Sequence, residues 1–492
     1  MQRGDLCPPR PPVNGRAHVR TLFLRCLGLV FVAAFLSVAA QARVLFGARG
    51  LLPACPYLAR TSPWRAPSLL RLDCRDGALV GTALAGAVVA LGLVLDLAPR
   101  WCLAACWLLY LSFVSIGQEF LSFQWDNLLL EAAFFALFVT PRGLRARDAP
   151  EPHPLGVFLV QWLVLRLYVE SGLAKLFLGD PTWRDLTALV SYYETAPLPT
   201  WIGWWAHQMP VWAHRSCALY TYLAELVLPL AMWGPRRLRA PAFLGLAAMQ
   251  LSIILTANYG FFNWLSLALT LFLLDDGHLA WLAARLGRRL EPAPARRPSR
   301  ARTAGLGAVA ALLVPLSLVP FLPIVPGGID LYRRLGPVPE ALDVLRSIDA
   351  YHLFASMTLV RREVVIEGSA DGVTWLSYEF HWKPGDPLRA PAFVAPYQPR
   401  VDFQLWFLLL GHRGPPAYFE TLLRRLLEDP AAVAPLFSRD PFPATPPRAL
   451  RLAFYTYHFT DLATRRATGA WWTRTLEGYS RPITSADFPS KR

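Results

Sequence analysis

Apolar runs of roughly bilayer length recur about nine times in the first two thirds of this chain. A run of ~20 residues is what an α-helix needs to cross a hydrocarbon core. The runs fall near 21–41, 77–98, 101–117, 126–141, 155–175, 213–233, 240–257, 260–275 and 304–324. Only 17% of the 492 residues are charged, against about 25% in ordinary soluble domains. The mean hydropathy of +0.33 agrees. The expected fold is a polytopic α-helical membrane bundle followed by a C-terminal β-rich domain, α+β or sandwich-like, outside the cytoplasm.

The domain limits follow from changes of composition. Residues 1–284 form the transmembrane bundle. Within it, 176–212 is too polar for a span and too aromatic for an ordinary loop, which fits short helices lying in the bilayer interface. Residues 285–303 are a Pro/Arg-rich cytoplasmic linker, 304–324 the last span, and 325–492 the soluble domain. The first run follows Arg16 and Arg20 and ends in "SVAAQA", like a secretory leader. Its length and the spans behind it favour an uncleaved first span.

A net charge of +15 raises the question of nucleic acid. No nucleic-acid-binding motif or basic helix with interleaved aromatics is present, and loop arginines account for the charge. With the N-terminus in the cytoplasm, eighteen loop arginines fall on the cytoplasmic side and seven opposite. That asymmetry obeys the positive-inside rule, although the first outer loop is basic. Nine spans then put the C-terminal domain in an extracytoplasmic space.

Ionisable side chains inside spans are costly and so informative, at about 2.5–3.5 kcal/mol each on insertion scales. "SIGQEFLSFQWDNLLLEAAFFALF" (115–138) carries Gln118, Glu119, Asp126, Asn127 and Glu131. The fifth span carries Arg166, Glu170 and Lys175, and the sixth carries Glu225. Arg166 and Glu170 are four apart and share a helix face. These groups are expected to pair across the bundle as one polar network. Helix fastening is the plainer role for it. A catalytic role for Lys175 is the sharper one.

The C-terminal part alternates apolar and polar residues on either side of "SADG", the signature of a hairpin over 362–386. "YFETLLRRLLED" (418–429) has helical period, with Leu422, Leu423, Leu426 and Leu427 on one face. "ALRLAFYTYHF" (449–459) alternates again, and 403–411 is a buried strand or a helix. Lys383 and Asp386 stand in "KPGD". Arg400, Asp402, Gln404 and Trp406 stand in "PYQPRVDFQLWF", whose alternation predicts one shared strand face.

Of seven cysteines, Cys55 and Cys74 share one loop and can pair if it faces an oxidising compartment. Cys102 and Cys106 read as small core residues. No zinc spacing, phosphate loop, dinucleotide fingerprint or GxSxG elbow occurs, so no metal or cofactor is implied.

Several blocks taken together resemble the lipase maturation factor family. They are "GQEFLSFQWDNLLLEAAFFALF", "SGLAKL…TWRDLTALVSYYETAPLPT", "LTANYGFFNWLSLALTLFLLDD", "VVIEGSADGVTW" and "KPGD…PYQPRVDFQLWF". They cover nearly the whole chain in family order. The resemblance implies a membrane-anchored folding factor that helps secreted homodimeric lipases, or other exported proteins, assemble. Animal members are endoplasmic-reticulum proteins with a lumenal C-terminal region. The short linker before the last span and the lack of any Asn-x-Ser/Thr site depart from them and suggest a compact, bacterial member, with the periplasm in place of the lumen. One helix, "ESGLAKLFLGDPTW", is similar to vitamin K-dependent carboxylase-like membrane proteins, with Lys175 near their catalytic lysine. Two alternatives therefore stay open: an enzyme using Lys175 as base, and a binder of lipids or small molecules. The implied partners are the bilayer and an exported client.

Overall fold

The computed structural model of the protein describes residues 15–294, 299–411 and 414–488. Cys7, Arg3 and Arg10 of the N-terminal segment and Arg296 and Arg297 of the linker lie outside these residues.

Among the described residues, seven helices are long and apolar enough to cross a membrane: Ala17–Phe46, Asp76–Val94, Pro99–Ile116, Pro154–Phe177, Val211–Trp233, Arg236–Thr256 and Arg300–Ile324. An eighth counts if Phe262–Leu273 and Asp276–Arg285, bent by 100° against each other, make one span. This corrects the expectation of about nine. The missing one is Gln124–Ala136, whose 13 residues reach only ~20 Å at 1.5 Å per residue. It is enclosed by protein, with Asp126, Leu128 and Glu131 fully buried. Its chain still returns to the end of the bundle where the second helix stops. There Leu144 O accepts from the Ala98 N–H at 2.7 Å, and the Asp96 carboxylate accepts from Ala146 and Arg147.

The first two spanning helices pack most closely. A Cβ at Gly28 would lie 2.8 Å from Leu93 Cβ and 3.0 Å from the Val94 backbone. Small residues permit such approach where lipid supplies no hydrophobic drive between helices. The last span begins at Arg300, capped by Ser299, four residues before the apolar run that announces it. Residues 176–212 hold three short helices, Pro181–Arg184, Ala188–Thr195 and Trp201–His207. They sit between the bundle and the C-terminal domain.

The C-terminal region is α+β. An antiparallel sheet has the order β2-β1-β5-β6, from β1 (Arg361–Ser369), β2 (Leu376–Ser377), β5 (Ala449–Phe459) and β6 (Trp472–Tyr479). A second ribbon pairs β3 (Glu379–Phe380) with β4 (Phe437–Arg439). The β1–β2 hairpin turns at "SADG". The Asp371 carboxylate accepts from the Val373 and Thr374 N–H groups, and those bonds hold it well below the usual carboxylate range. Leu422, Leu423, Leu426 and Leu427 of the Ala417–Glu428 helix are all buried.

The expected strand over 400–404 is a helix instead, Arg400–Leu405, continued by a 3-10 turn. Arg400 and Asp402, two apart, therefore diverge rather than share a face. The hydrophobic core runs without a break from the bundle into this domain. Phe403 meets Phe123 and Trp125 edge-on at 5.3 and 5.0 Å, and Phe120 meets Tyr418 at 5.1 Å.

Candidate functional site

The intramembrane charges do not form the single network expected. They form three separate clusters, and each reaches a segment outside the spans.

The first is built on Arg166. Its Nε donates to Glu170 Oε1 at 2.9 Å, as the i,i+4 spacing on one helix allows, and its Nη1 donates to Glu131 Oε1 at 2.6 Å. Its Nη2 donates to the Asp349 carbonyl. The loop around 349–351 closes the cluster. The Tyr351 N–H donates to Glu170 Oε2 at 3.0 Å, the Tyr351 hydroxyl to Glu131 Oε2, and Asn127 to the Asp349 carboxylate at 2.8 Å. Arg166 is 2% exposed and Glu131 0%. One cation against two buried carboxylates is tolerable only because each carboxylate also accepts a donor from that loop.

The second cluster is absent from any reading of the spans. Asp126 pairs with Arg400 of the C-terminal domain, 274 residues away. Nη1 reaches Oδ2 at 2.6 Å and Nη2 reaches Oδ1 at 2.8 Å, a two-pronged pair. Tyr110 donates to the same carboxylate at 2.5 Å, and Arg400 also donates to the Phe120 carbonyl. Around it, segment 398–400 is fastened to the first helix. Ser37 Oγ accepts from the Gln398 N–H, Gln41 donates to the Gln398 carbonyl, and Gln41 Oε1 accepts from the Arg400 N–H.

The third joins Lys175 to Glu225 at 2.8 Å. Lys175 does not meet Asp180 or Arg184. Its other two protons go to the carbonyls of Ser171 and Leu353, and it lies 5.0 Å from the centre of the Trp183 ring. Asp180 instead accepts from Thr182 and from the Met357 N–H.

Glu119 and Gln118 join none of these clusters. Glu119 is half-buried, and its Oε2 has no hydrogen-bond partner among the described residues. Gln118 occupies a left-handed turn, φ 44°.

The remaining C-terminal candidates separate in the same way. The Asp402 carboxylate accepts from the N–H groups of Trp382 and Lys383 at 2.7 and 2.9 Å. Burial pushes its carboxyl above the ordinary range against those bonds. Lys383 pairs with Glu363 at 2.8 Å, and Glu363 with Arg361 at 2.7 Å. Asp386 accepts from the Leu388 N–H in its own turn. Trp406 donates to the Thr195 carbonyl, and the Gln404 carbonyl accepts from Tyr418.

Several residues were missed that do the same work. Arg361 donates to the carbonyls of Glu194, Ala196 and Pro197. Glu194 accepts from the Phe459 N–H at 2.7 Å. Asn258 donates to the Leu198 and Ala392 carbonyls, and its Oδ1 accepts from Val394 and Ala395. The only sequence signal of Glu194 and Asn258 was membership of the unusual blocks, and Arg361 lies just before one of them. Four of those blocks, around 118–131, 182–200, 257–264 and 396–407, meet at one interface between bundle and C-terminal domain. Cys55 and Cys74 form a disulfide in the loop at this same end, where Arg49 meets Asp429.

Residues 18–281 match the lipase maturation factor transmembrane domain, and residues 347–482 match the lipase maturation factor C-terminal domain. The chain belongs to the lipase maturation factor family. Among its relatives is "Lipase maturation factor 2" of Gallus gallus, 34% identical over 95% of this chain and 80% of the relative. "Lipase maturation factor 2" of Homo sapiens is 33% identical over 92% and 81%. "Lipase maturation factor 1" of Bos taurus is 31% identical over 98% and 94%. No solved structure matches. Both parts of the lipase maturation factor architecture are thus present in this chain, joined by the buried pairs described above.

Proposed function

We propose that this protein is a membrane-anchored maturation factor that assists the folding and assembly of exported lipases. The observation that carries the reading is the joint between the two family domains. Asp126–Arg400 and Glu131–Arg166 with Tyr351 are buried, geometrically specific contacts. A buried ionic pair contributes little net stability but fixes one arrangement against others. Here it holds the C-terminal domain in one orientation on the bundle, so a folding client meets a fixed surface at the membrane. That outward surface is the sheet ending in β6, most of whose residues are exposed.

The reading extends to topology. The N-terminus faces the cytoplasm, and the C-terminal domain lies in the lumen of the endoplasmic reticulum, or in the periplasm if the source is bacterial. The arginine asymmetry supports it. So does the Cys55–Cys74 bond at the same end as the C-terminal domain, because disulfides persist in oxidising compartments. Cys55 and Cys74 are expected to resist alkylation in intact membranes until a reductant is added. Alkylation of both without reductant would contradict this topology.

Lys175 as a catalytic base is the weaker reading. Its Nζ sits against the Glu225 carboxylate and the Ser171 and Leu353 carbonyls, three acceptors around one nitrogen, which is the setting of an ion-pair member rather than of a base. The test of the maturation reading is chemical cross-linking in cells that secrete a lipase. A lipase adduct is expected through the C-terminal domain. Adducts that contain no lipase count against it.

A further inference from the structure

Residues 328–346, "GIDLYRRLGPVPEALDVLR", join the last span to the loop that closes the Arg166 cluster. They form two short helices, Gly328–Arg334 and Val338–Asp343. Both are two-sided. In the first, Leu331, Tyr332 and Leu335 fall on one side at helical spacing, and Asp330, Arg333 and Arg334 on the other. In the second, Val338 and Leu342 oppose Glu340 and Asp343. The apolar sides are not packed away. Ile329, Leu331 and Leu345 are exposed, and Leu335, Val338 and Leu342 are only half-buried. Composition places this stretch in the soluble domain, where an uncovered apolar edge marks a contact site.

Two anchors on the helix Pro154–Phe177 fix the level of the segment. Upstream, Phe321 and Ile324 at the close of the last span pack with Leu173 and Ala174, about one turn short of Phe177. Downstream, the Asp349 carbonyl accepts from Arg166, which lies about three turns, or ~16 Å, short of Phe177. Beside it, Ser347 Oγ accepts from Trp107 Nε1 at 3.0 Å, within the spanning helix Pro99–Ile116. The segment therefore begins and ends below the end of a spanning helix, not above it in solvent. Its exposed leucines also continue a lipid-facing surface, since Leu312 and Leu318 are exposed on the last span.

We propose that residues 328–346 are a membrane-contact element. The two helices lie in the leaflet on the side of the C-terminal domain, with Ile329, Leu331 and Leu345 among acyl chains and Arg333 and Arg334 toward the headgroups. An amphipathic helix settles in this way with its apolar face ~5–10 Å into the headgroup boundary. The polar side suits that layer, because Asp330 pairs with Arg333 at 3.8 Å and Asp343 with Arg346 at 2.8 Å. The contact does not rest on the maturation reading, since it involves neither the Arg400 joint nor the sheet that ends in β6.

The experiment uses the full chain reconstituted at one copy per phosphatidylcholine nanodisc, so that neither a client nor a second copy can cover the segment. A fraction of the phosphatidylcholine carries a photoactivatable phenyl-diazirine in the upper half of one acyl chain, and adducts are mapped by mass spectrometry. Leu312 of the last span is the reference for lipid exposure. Val373 is the reference for exposure away from lipid, in the turn that follows β1 at the end opposite Arg361. Adducts on Ile329, Leu331 and Leu345 are expected at yields at least about ten-fold above that of Val373, the ratio that 1.4 kcal/mol represents. Yields at the Val373 level on all three, with Leu312 labelled, overturn the proposal. So do adducts as frequent on Arg334 as on Leu331, because the segment then has no lipid-facing side.

Discussion

Arg400→Ala is expected to destabilise the joined protein by about 3–5 kcal/mol, the usual cost of leaving one member of a buried pair alone. Asp126 is fully buried, and Arg400 supplies both of its long-range donors; among the described residues only the Tyr110 hydroxyl remains when the guanidinium goes. The Phe120 carbonyl loses its Arg400 donor in the same step. The damage is expected at the joint, because Arg400 also anchors the segment that Gln41 and Ser37 hold. Protease susceptibility near 392–400 should therefore rise before either domain melts. Replacing both Asp126 and Arg400 with leucine should recover most of the loss, as removal of a whole buried pair often does. The coupling from such a cycle is expected to exceed ~1 kcal/mol, while contact-free positions add within ~0.5 kcal/mol. A coupling near zero would mean that the pair does not hold the domains.

Arg166→Ala is expected to be more damaging still. It strands two buried carboxylates, Glu131 and Glu170, in one step and removes the donor to the Asp349 carbonyl. Each stranded group carries its own desolvation cost of several kcal/mol. The variant should fail to accumulate as a monodisperse species in detergent. Arg166→Lys should rescue it only in part. One ammonium restores the charge, but it cannot reproduce a planar fork that spans two carboxylates and a carbonyl. Full recovery with lysine would show that charge alone matters there.

What could be read from the sequence, and what could not, divides along physical lines. Local contacts were legible. Arg166 and Glu170 announce their pairing by spacing, "SADG" announces a turn, and the four leucines of 422–427 announce a buried helix face. Each depends on neighbours within about one turn. Arg400 was not legible, because polar residues at alternate positions read as a strand face. The segment coils instead because its start is clamped to the first helix through Gln41 and Ser37 and its aromatic residues pack on Phe123 and Trp125. Asp126 could be recognised as an expensive residue, but its partner lies 274 positions away and in the other domain. Tyr351 and Asp349 carried no signal at all, being ordinary residues of a loop. The span count failed for a related reason. A helix enclosed by protein, such as Gln124–Ala136, need be neither long nor lipid-like, so hydropathy and bilayer length do not govern it. The family blocks told more than any single residue, since the residues that make them unusual meet at the joint.

The most direct measurement is the specific activity of a secreted homodimeric lipase in cells lacking their own maturation factor. Those cells would be supplied with this protein, with its Arg400→Ala variant, or with neither. The account predicts active, correctly assembled lipase with the native protein. With Arg400→Ala at equal expression, it predicts activity near the level of cells given neither. Unchanged lipase activity on adding the native protein would contradict the maturation role. Full activity with an undocked Arg400→Ala protein would contradict the claim that the joint serves it.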